Sequence, residues 1–475
     1  MTDNRQPGEG RGPILTALIL IIVFAVMFLQ GCTIGPNFKR PDVDLPENFG
    51  VTQSSTPAPE RWWAVFQDPV LDRLVAEALA ANHDLRAAAE RIEQARAQVA
   101  IARSDMWPDV GIDASSSRER TSQLGSVQLP PGTPLVANDH RLVLRFSWEL
   151  DFWGKYRRAT EAARAELLAS EAGRDAVRAS LIGEVVRGYF ILQALDRRLE
   201  VTERTLLGRD KALELQKLRY DAGVVSELEY RQVESDLRTT QALIPVVRLA
   251  RARQEGALAL LFGRSPREVY EARVDRGMAF TPPGVEVPAG LPSDLLLRRP
   301  DLREAEARLH AANARIGVAR AAYFPSIKLT GFYGGESESL GDLFSGPART
   351  WNVAAGLLQP LWASGAIKGG VSLADARTRE ANEIYQKAVA NAFREVRDAI
   401  TAQSHLREAF GAQQERERAL SRTLDLAKLR YDNGAVSLFE VLETERQLLA
   451  ARLDAIDAER DRRNAIVELY LALGG

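Results

Sequence analysis

The residues with the widest chemical repertoire are sparse in this sequence. One cysteine, Cys32, and four histidines, His83, His140, His310 and His405, supply all of its thiol and imidazole groups. A single thiol forms no intrachain disulfide and no cysteine cluster for a metal. The histidines are scattered, and none stands in an HExxH or similar ligand spacing. No stretch resembles a nucleophile–base pair, a phosphate-cradling loop or a pair of carboxylates in a pocket. The expectation is a protein that is not an enzyme and holds neither metal nor cofactor. The formal net charge is -2 over 475 residues, so no strong field argues for nucleic acid.

Cys32 has one chemical context, and it is covalent lipid attachment. An apolar run, Ile14 to Leu29, follows a start that contains Arg5 and Arg11, and Leu29-Gln30-Gly31-Cys32 then resembles a lipobox. Leu29 and Gly31 fit that pattern, whereas Gln30 departs from the usual Ala, Ser or Thr. On this reading residues 1–31 are a lipoprotein signal peptide and 32–60 a lipidated N-terminal extension. Several acyl chains on Cys32 would anchor stably where one anchors marginally. Thr33 follows the cysteine where an Asp would mark inner-membrane retention, so the address resembles an outer-membrane one. The alternative is an uncleaved inner-membrane anchor. The run is slightly long for a signal peptide and short for a spanning helix of roughly 20 residues.

The elements behind this start come in duplicate. "KLRYDAGVVSELEYRQVESDL" from Lys217 and "KLRYDNGAVSLFEVLETERQL" from Lys428 match at an offset of 211. "HDLRAAAERIEQARAQVAIARSDMWPDVGID" from His83 pairs with "PDLREAEARLHAANARIGVARAAYFPSIKLT" from Pro300, and Trp153 falls on Trp362. The chain reads as a first repeat at 61–265, a linker at 266–299 and a second repeat at 300–475. Each repeat holds a helix, a β-hairpin (about 109–153 and about 326–362) and a long helical hairpin. The first helix is expected from Leu85, with Asp84 as its N-cap, to about Met106, because Pro108 disfavours helix in the residue before it. From Lys155 to Arg219 there is no proline and little glycine, which suggests a coiled coil of roughly 100 Å.

Alternation of period two marks the strands. Leu142, Leu144, Phe146, Trp148, Leu150 and Phe152 share one face, against Arg141, Val143, Arg145, Ser147, Glu149 and Asp151. Ile327, Leu329, Gly331 and Tyr333, then Trp351, Val353, Ala355 and Leu357, supply the apolar faces of the second pair. In a bilayer a four-stranded sheet would leave two unsatisfied edges, so it could span only by closing with copies of itself. Two chains give eight strands and a filled interior, and three give twelve and a lumen. A soluble sandwich is the competing reading.

The helical hairpins should turn at 220–226 and 431–437. Gly223 and Gly434 can take the left-handed conformation that ends a helix, and Ser226 and Ser437 can cap the next. Such a turn is also what any plain αα-hairpin needs.

Together these residues resemble the TolC-type outer-membrane efflux family, in its OprM-like and NodT-like lipoprotein branch. "GCTIGPNFKRP", "RWWAVFQDPVLDRLVAEALAANHDLRAA" and the phrase around Tyr431 and Gly434 carry the likeness, which covers nearly all of the chain after Cys32. The resemblance implies a mainly α fold with a small transmembrane β part. Its homotrimer would close a twelve-stranded barrel in the outer membrane and an α-helical barrel in the periplasm. It also implies a passive exit duct for small molecules, with a periplasmic adaptor and an inner-membrane RND transporter as partners, outer-membrane lipid around the barrel and no cofactor beyond the lipid on Cys32. The family's periplasmic tip carries a Tyr before the Gly turn and acidic residues after it. Here those are Tyr431, Gly434, Glu440 and Glu443, and in the first copy Tyr220, Gly223 and Glu229, with Gln232 where Glu443 would stand. Glu replaces the Asp common in the family. Two other functions remain open at this level: the outer-membrane channel of a type I protein secretion system, and an inner-membrane-anchored coiled-coil adaptor or scaffold.

Overall fold

A computed structural model describes residues 33–46, 61–124, 130, 132, 134–277 and 292–475. Cys32, the expected signal peptide and the middle of the linker lie outside them. Nine α-helices and four strands are formed by the described residues. The helices are α1 (Pro69–Ala81), α2 (His83–Ser104), α3 (Lys155–Asp221), α4 (Glu227–Leu261), α5 (Pro266–Glu271), α6 (Pro292–Arg298), α7 (Pro300–Ala321), α8 (Ala366–Asp432) and α9 (Leu438–Ala472). The strands are β1 (Asp109–Arg120), β2 (Val136–Leu150), β3 (Ser326–Ser337) and β4 (Arg349–Leu358).

The two long helices, α3 and α8, each run 67 residues without interruption, and their return partners α4 and α9 each run 35. A proline, Pro245, is accommodated inside α4. α2 starts two residues earlier than the sequence suggests. Its first turn is capped by Asn82, whose Oδ1 accepts from the Leu85 amide at 2.9 Å, and not by Asp84, which lies inside the helix. Asn82 also donates to the Leu261 carbonyl, so the cap is locked by a tertiary contact that spacing alone does not reveal.

The strands make one antiparallel sheet in the order β1-β2-β3-β4. The sheet thus joins the two hairpins through β2 and β3, with Leu144 opposite both Ile112 and Tyr333. Residues directly opposite share a face. Val110, Ile112, Leu142, Leu144, Phe146, Trp148, Leu329, Tyr333, Trp351, Val353 and Leu357 therefore line one side. On the other side charges alternate with small residues and pair across the ladder: Arg145 with Asp109, Arg141 with Glu336, Lys328 with Glu149. Phe332, an aromatic exception there, lies 4.3 Å under the Arg141 guanidinium. β2 ends at Leu150, so Phe152 is not on its face. The Asp151 carboxylate instead accepts from the Tyr156 and Arg157 amides and opens α3.

Two compact units divide the chain, and neither is a repeat. One gathers residues up to Pro41 with Glu93–Ala169 and Glu306–Ile384, and contains the sheet; the other gathers Asp42–Ile92, Ser170–Ala305 and Tyr385–Gly475. The second is built on a core of Trp62, Phe66, Leu71, Val185, Tyr189, Leu258, Phe262 and Tyr470, with Trp62 stacked on Tyr470 at 5.2 Å. Asp68 caps α1 through Oδ1 and accepts from the Tyr189 hydroxyl through Oδ2 at 2.6 Å. Burial and that carboxylate push the Tyr189 phenol above its usual range.

Candidate functional site

Both helical tips turn by the same backbone device. The Gly223 amide donates to the Tyr220 carbonyl and the Val224 amide to Arg219, both at 2.8 Å. Gly434 donates to Tyr431 at 2.9 Å and Ala435 to Arg430 at 2.8 Å. Both glycines are left-handed, with φ of 73° and 70°. This is a Schellman closure, which a residue with a Cβ enters at a cost.

The side chains then diverge. In the first tip Ser226 and Glu229 form a reciprocal capping box, the Ser226 amide donating to Glu229 Oε2 at 3.0 Å. Glu229 is thereby spent on its own helix end. Tyr220 stacks on Tyr230, ring centroids 5.5 Å apart. In the second tip Ser437 makes no side-chain cap, and Glu440 faces Arg430 at 3.4 Å. Glu443 accepts from Arg446 and from Gln447, the latter at 2.9 Å. Both of these glutamates are partly exposed, so such pairs contribute about 0–1 kcal/mol each and exchange readily. Tyr431 is half-buried and packs with Leu213 against Val233, Leu438 and Leu442, which joins the two hairpins at their tips.

One element near the tips carries no signal within a single copy. Arg209 on α3 and Asp236 on α4 form an ion pair at 2.8 Å with side chains 5% and 6% exposed. Arg209 also donates to the Asp236 carbonyl at 3.0 Å and to Thr240. Burial pulls the Arg209 guanidinium down and pushes the Asp236 carboxyl up, each against the pull of its partner. The same helices in the second repeat carry Leu420, Gln447 and Ala451 at the matching positions. Comparing the copies position by position is the reading that would have found the pair.

At the sheet, the first described residue lies at the end of β2 where α3 begins. Ile34 donates to the Trp153 carbonyl at 3.1 Å, and Thr33 packs so closely on Gly154 that a Cβ there would stand 2.8 Å from it. Arg158, buried, donates to the Ile34 and Gly35 carbonyls and to Asn37 Oδ1. Cys32 itself lies outside the described residues, but its neighbour is fixed here. Around this level Trp107, Tyr323 and Trp362 are exposed, and Trp153 donates to the Pro325 carbonyl at 2.7 Å. No helix among the described residues is long and apolar enough to cross a membrane, which leaves the question of a β-barrel to the sheet.

The family model for outer membrane efflux proteins matches residues 74–264 and 291–475. The chain belongs to that family. It is 33% identical over 463 residues to the solvent efflux pump outer membrane protein SrpC of Pseudomonas putida, covering 95% of this chain and 97% of that one. To the cation efflux system protein CusC of Escherichia coli O6:H1 it is also 33% identical, covering 94% and 96%. The probable outer membrane lipoprotein SilC of Salmonella typhimurium is 33% identical, with 96% and 98% covered. Among solved structures, the CmeC outer membrane channel of Campylobacter jejuni superposes with a TM-score of 0.90 at 29% identity, covering 93% of this chain and 95% of that one. Like these relatives, the chain is an efflux protein of the outer membrane, mainly helical with four strands among its described residues. The inner-membrane scaffold is thereby set aside.

Proposed function

We propose that the chain is the exit duct of a tripartite efflux system, passively conducting small molecules that an inner-membrane RND transporter delivers through a periplasmic adaptor. The sheet carries this reading. Its apolar side is exposed, with Trp351, Val353 and Leu357 each 68–69% accessible, and β1 and β4 pair on one side only among the described residues. In hydrocarbon each unpaired amide or carbonyl costs several kcal/mol. Three subunits closing twelve strands would satisfy both edges and turn the charged side to a water-filled lumen. Relatives named for solvents and for cations are equally similar, which favours a wall indifferent to cargo and a pump that selects it.

The tips supply the gate and the docking surface. Glu440 and Glu443 of three subunits would converge on the axis and favour cations at rest. With Glu229 committed to a capping box and Gln232 opposite the Glu443 position, the second hairpin is the one with charge to present. Leu218, Val224 and Leu228 on the first tip and Leu429 and Phe439 on the second are exposed apolar residues suited to an adaptor's helical end. In planar bilayers the purified protein is expected to conduct with cation preference, and Glu440→Gln with Glu443→Gln to lose most of that preference. Unaltered selectivity would remove the gate, and absent conductance the duct.

Cys32 is proposed as the lipid attachment site, because its neighbour Thr33 packs on Gly154 and the Ile34 amide donates to the Trp153 carbonyl at the base of the sheet. Labelled palmitate should enter the wild-type protein and not the Cys32→Ser variant; equal labelling of both would refute the assignment.

A further inference from the structure

The face that carries the apolar residues changes character toward the end of the sheet remote from Thr33 and Gly154. Along β1 the same side reads Val110, Ile112, Ala114, Ser116, Arg118, Arg120. Across the ladder Arg118 stands opposite Asn138 and Arg120 opposite Val136, while Ser116 bonds His140 Nδ1 at 2.9 Å. At the start of β4, Arg349 stands opposite Gly335, which stands opposite Leu142. The register therefore puts Arg118, Arg120 and Arg349 on the apolar side, Arg349 on the rung of Leu142 and Arg118 and Arg120 two and three rungs beyond it. All three are exposed. Among the described residues none of them has an ion-pair partner; of the acidic residues nearby, Glu119, Asp139 and Glu336 point to the opposite side, and Asp342 stands in the loop between β3 and β4. The contrast with that opposite side is sharp: its arginines and lysine are matched by carboxylates across the ladder.

The connection from β3 to β4 lies on the same side. A Cβ built on Gly335 would meet the Leu343 carbonyl oxygen at 2.2 Å, so the loop backbone presses onto the sheet where only glycine permits it. Leu343 is buried there, while Leu340 and Phe344 are 66% and 82% exposed. A chain of short turns, Asp342 to Ser339, Ser345 to Asp342 and Ala348 to Ser345, holds the loop in that position beside Arg349.

We propose that this rim binds the phosphorylated headgroup of an outer-leaflet glycolipid, with Arg118, Arg120 and Arg349 on the phosphates and Leu340 and Phe344 against the upper acyl carbons. The length of the apolar stretch fits. Leu142 to Leu150 rises roughly 27 Å at about 3.4 Å per residue, and a tilt of about 40° lowers that to roughly 21 Å, a little under the apolar band of outer-membrane barrels, about 25 Å. Arg118 and Arg120 then stand at headgroup height on the side away from Thr33, with Arg349 at the edge of the apolar stretch. Guanidinium groups recognise phosphate through paired, charge-assisted hydrogen bonds. The proposal rests on the sheet being a membrane wall with its helices on the periplasmic side.

The test is native mass spectrometry of the full-length protein with bisphosphorylated lipid A and, separately, with the dephosphorylated lipid. The wild-type protein is expected to retain the phosphorylated form about tenfold more tightly, as one strong charge-assisted contact provides, and the preference should shrink as salt rises. Arg118→Gln, Arg120→Gln and Arg349→Gln together should abolish it, and the three Arg→Lys changes should keep part of it. Equal retention of both lipids by the wild-type protein overturns the proposal whether or not the variants assemble. So does an unaltered preference in the Gln variant. Wild-type protein that takes up neither lipid into its assembled form would instead count against the membrane wall itself.

Discussion

Val353→Lys is expected to deplete the protein from the outer membrane, while Ala354→Lys leaves it there. The two residues are neighbours on β4, yet Val353 stands opposite Gly331 and Ala354 opposite Thr330, on opposite sides of the sheet. Val353 is 69% exposed on the apolar side. A lysine facing lipid costs about 2–4 kcal/mol near the midplane of a barrel wall. In a three-subunit barrel the charge appears three times, so the penalty reaches roughly 6–12 kcal/mol, comparable to the whole stability of a domain. Ala354→Lys enters a side that already carries Lys328, Arg141 and Arg145. Membrane fractionation with a heat-modifiability gel reads both outcomes. Equal tolerance of the two variants would mean that the apolar side does not face lipid.

Asp236→Ala is expected to loosen the first helical hairpin by about 3–5 kcal/mol, the scale of leaving a buried partner charge uncompensated. The directions in which burial moves the two groups decide what should rescue it. Burial weighs against the charged form of each by more than the partner restores, so the pair stabilises little relative to a well-packed uncharged set. Arg209→Leu with Asp236→Gln copies what the second repeat carries and is expected to recover most of the loss. Hydrogen exchange of the α3 and α4 amides near the tip measures both. If Asp236→Ala alone leaves protection unchanged, the pair does not hold the hairpin.

Much of this arrangement is legible in the sequence wherever a residue acts on its own neighbours. The absence of proline and the scarcity of glycine announce α3, and period-two alternation from Leu142 to Leu150 announces the face of β2. The left-handed glycines at both tips follow from the repeated YD-x-G phrase. Long-range decisions are less visible. The pairing of β2 with β3 joins segments separated by three long helices, α3, α4 and α7, and the short α5 and α6, and nothing local encodes it. The outer half of β1, Ser115 to Arg120, has no apolar alternation because it leaves the apolar zone, so its strand character comes from the partner β2. The glutamates at the tips share one local phrase, yet Glu229 closes a capping box and Glu440 turns to Arg430. Family membership was readable because it rests on the order of whole elements, which survives such local differences.

The claim on which the rest depends is that one subunit is an open wall, completed by identical neighbours. Native mass spectrometry of the protein extracted in mild detergent tests it most directly. The account predicts an assembly of three chains with no free subunit at working concentration. A folded single chain, stable in buffer once detergent is withdrawn, would contradict it.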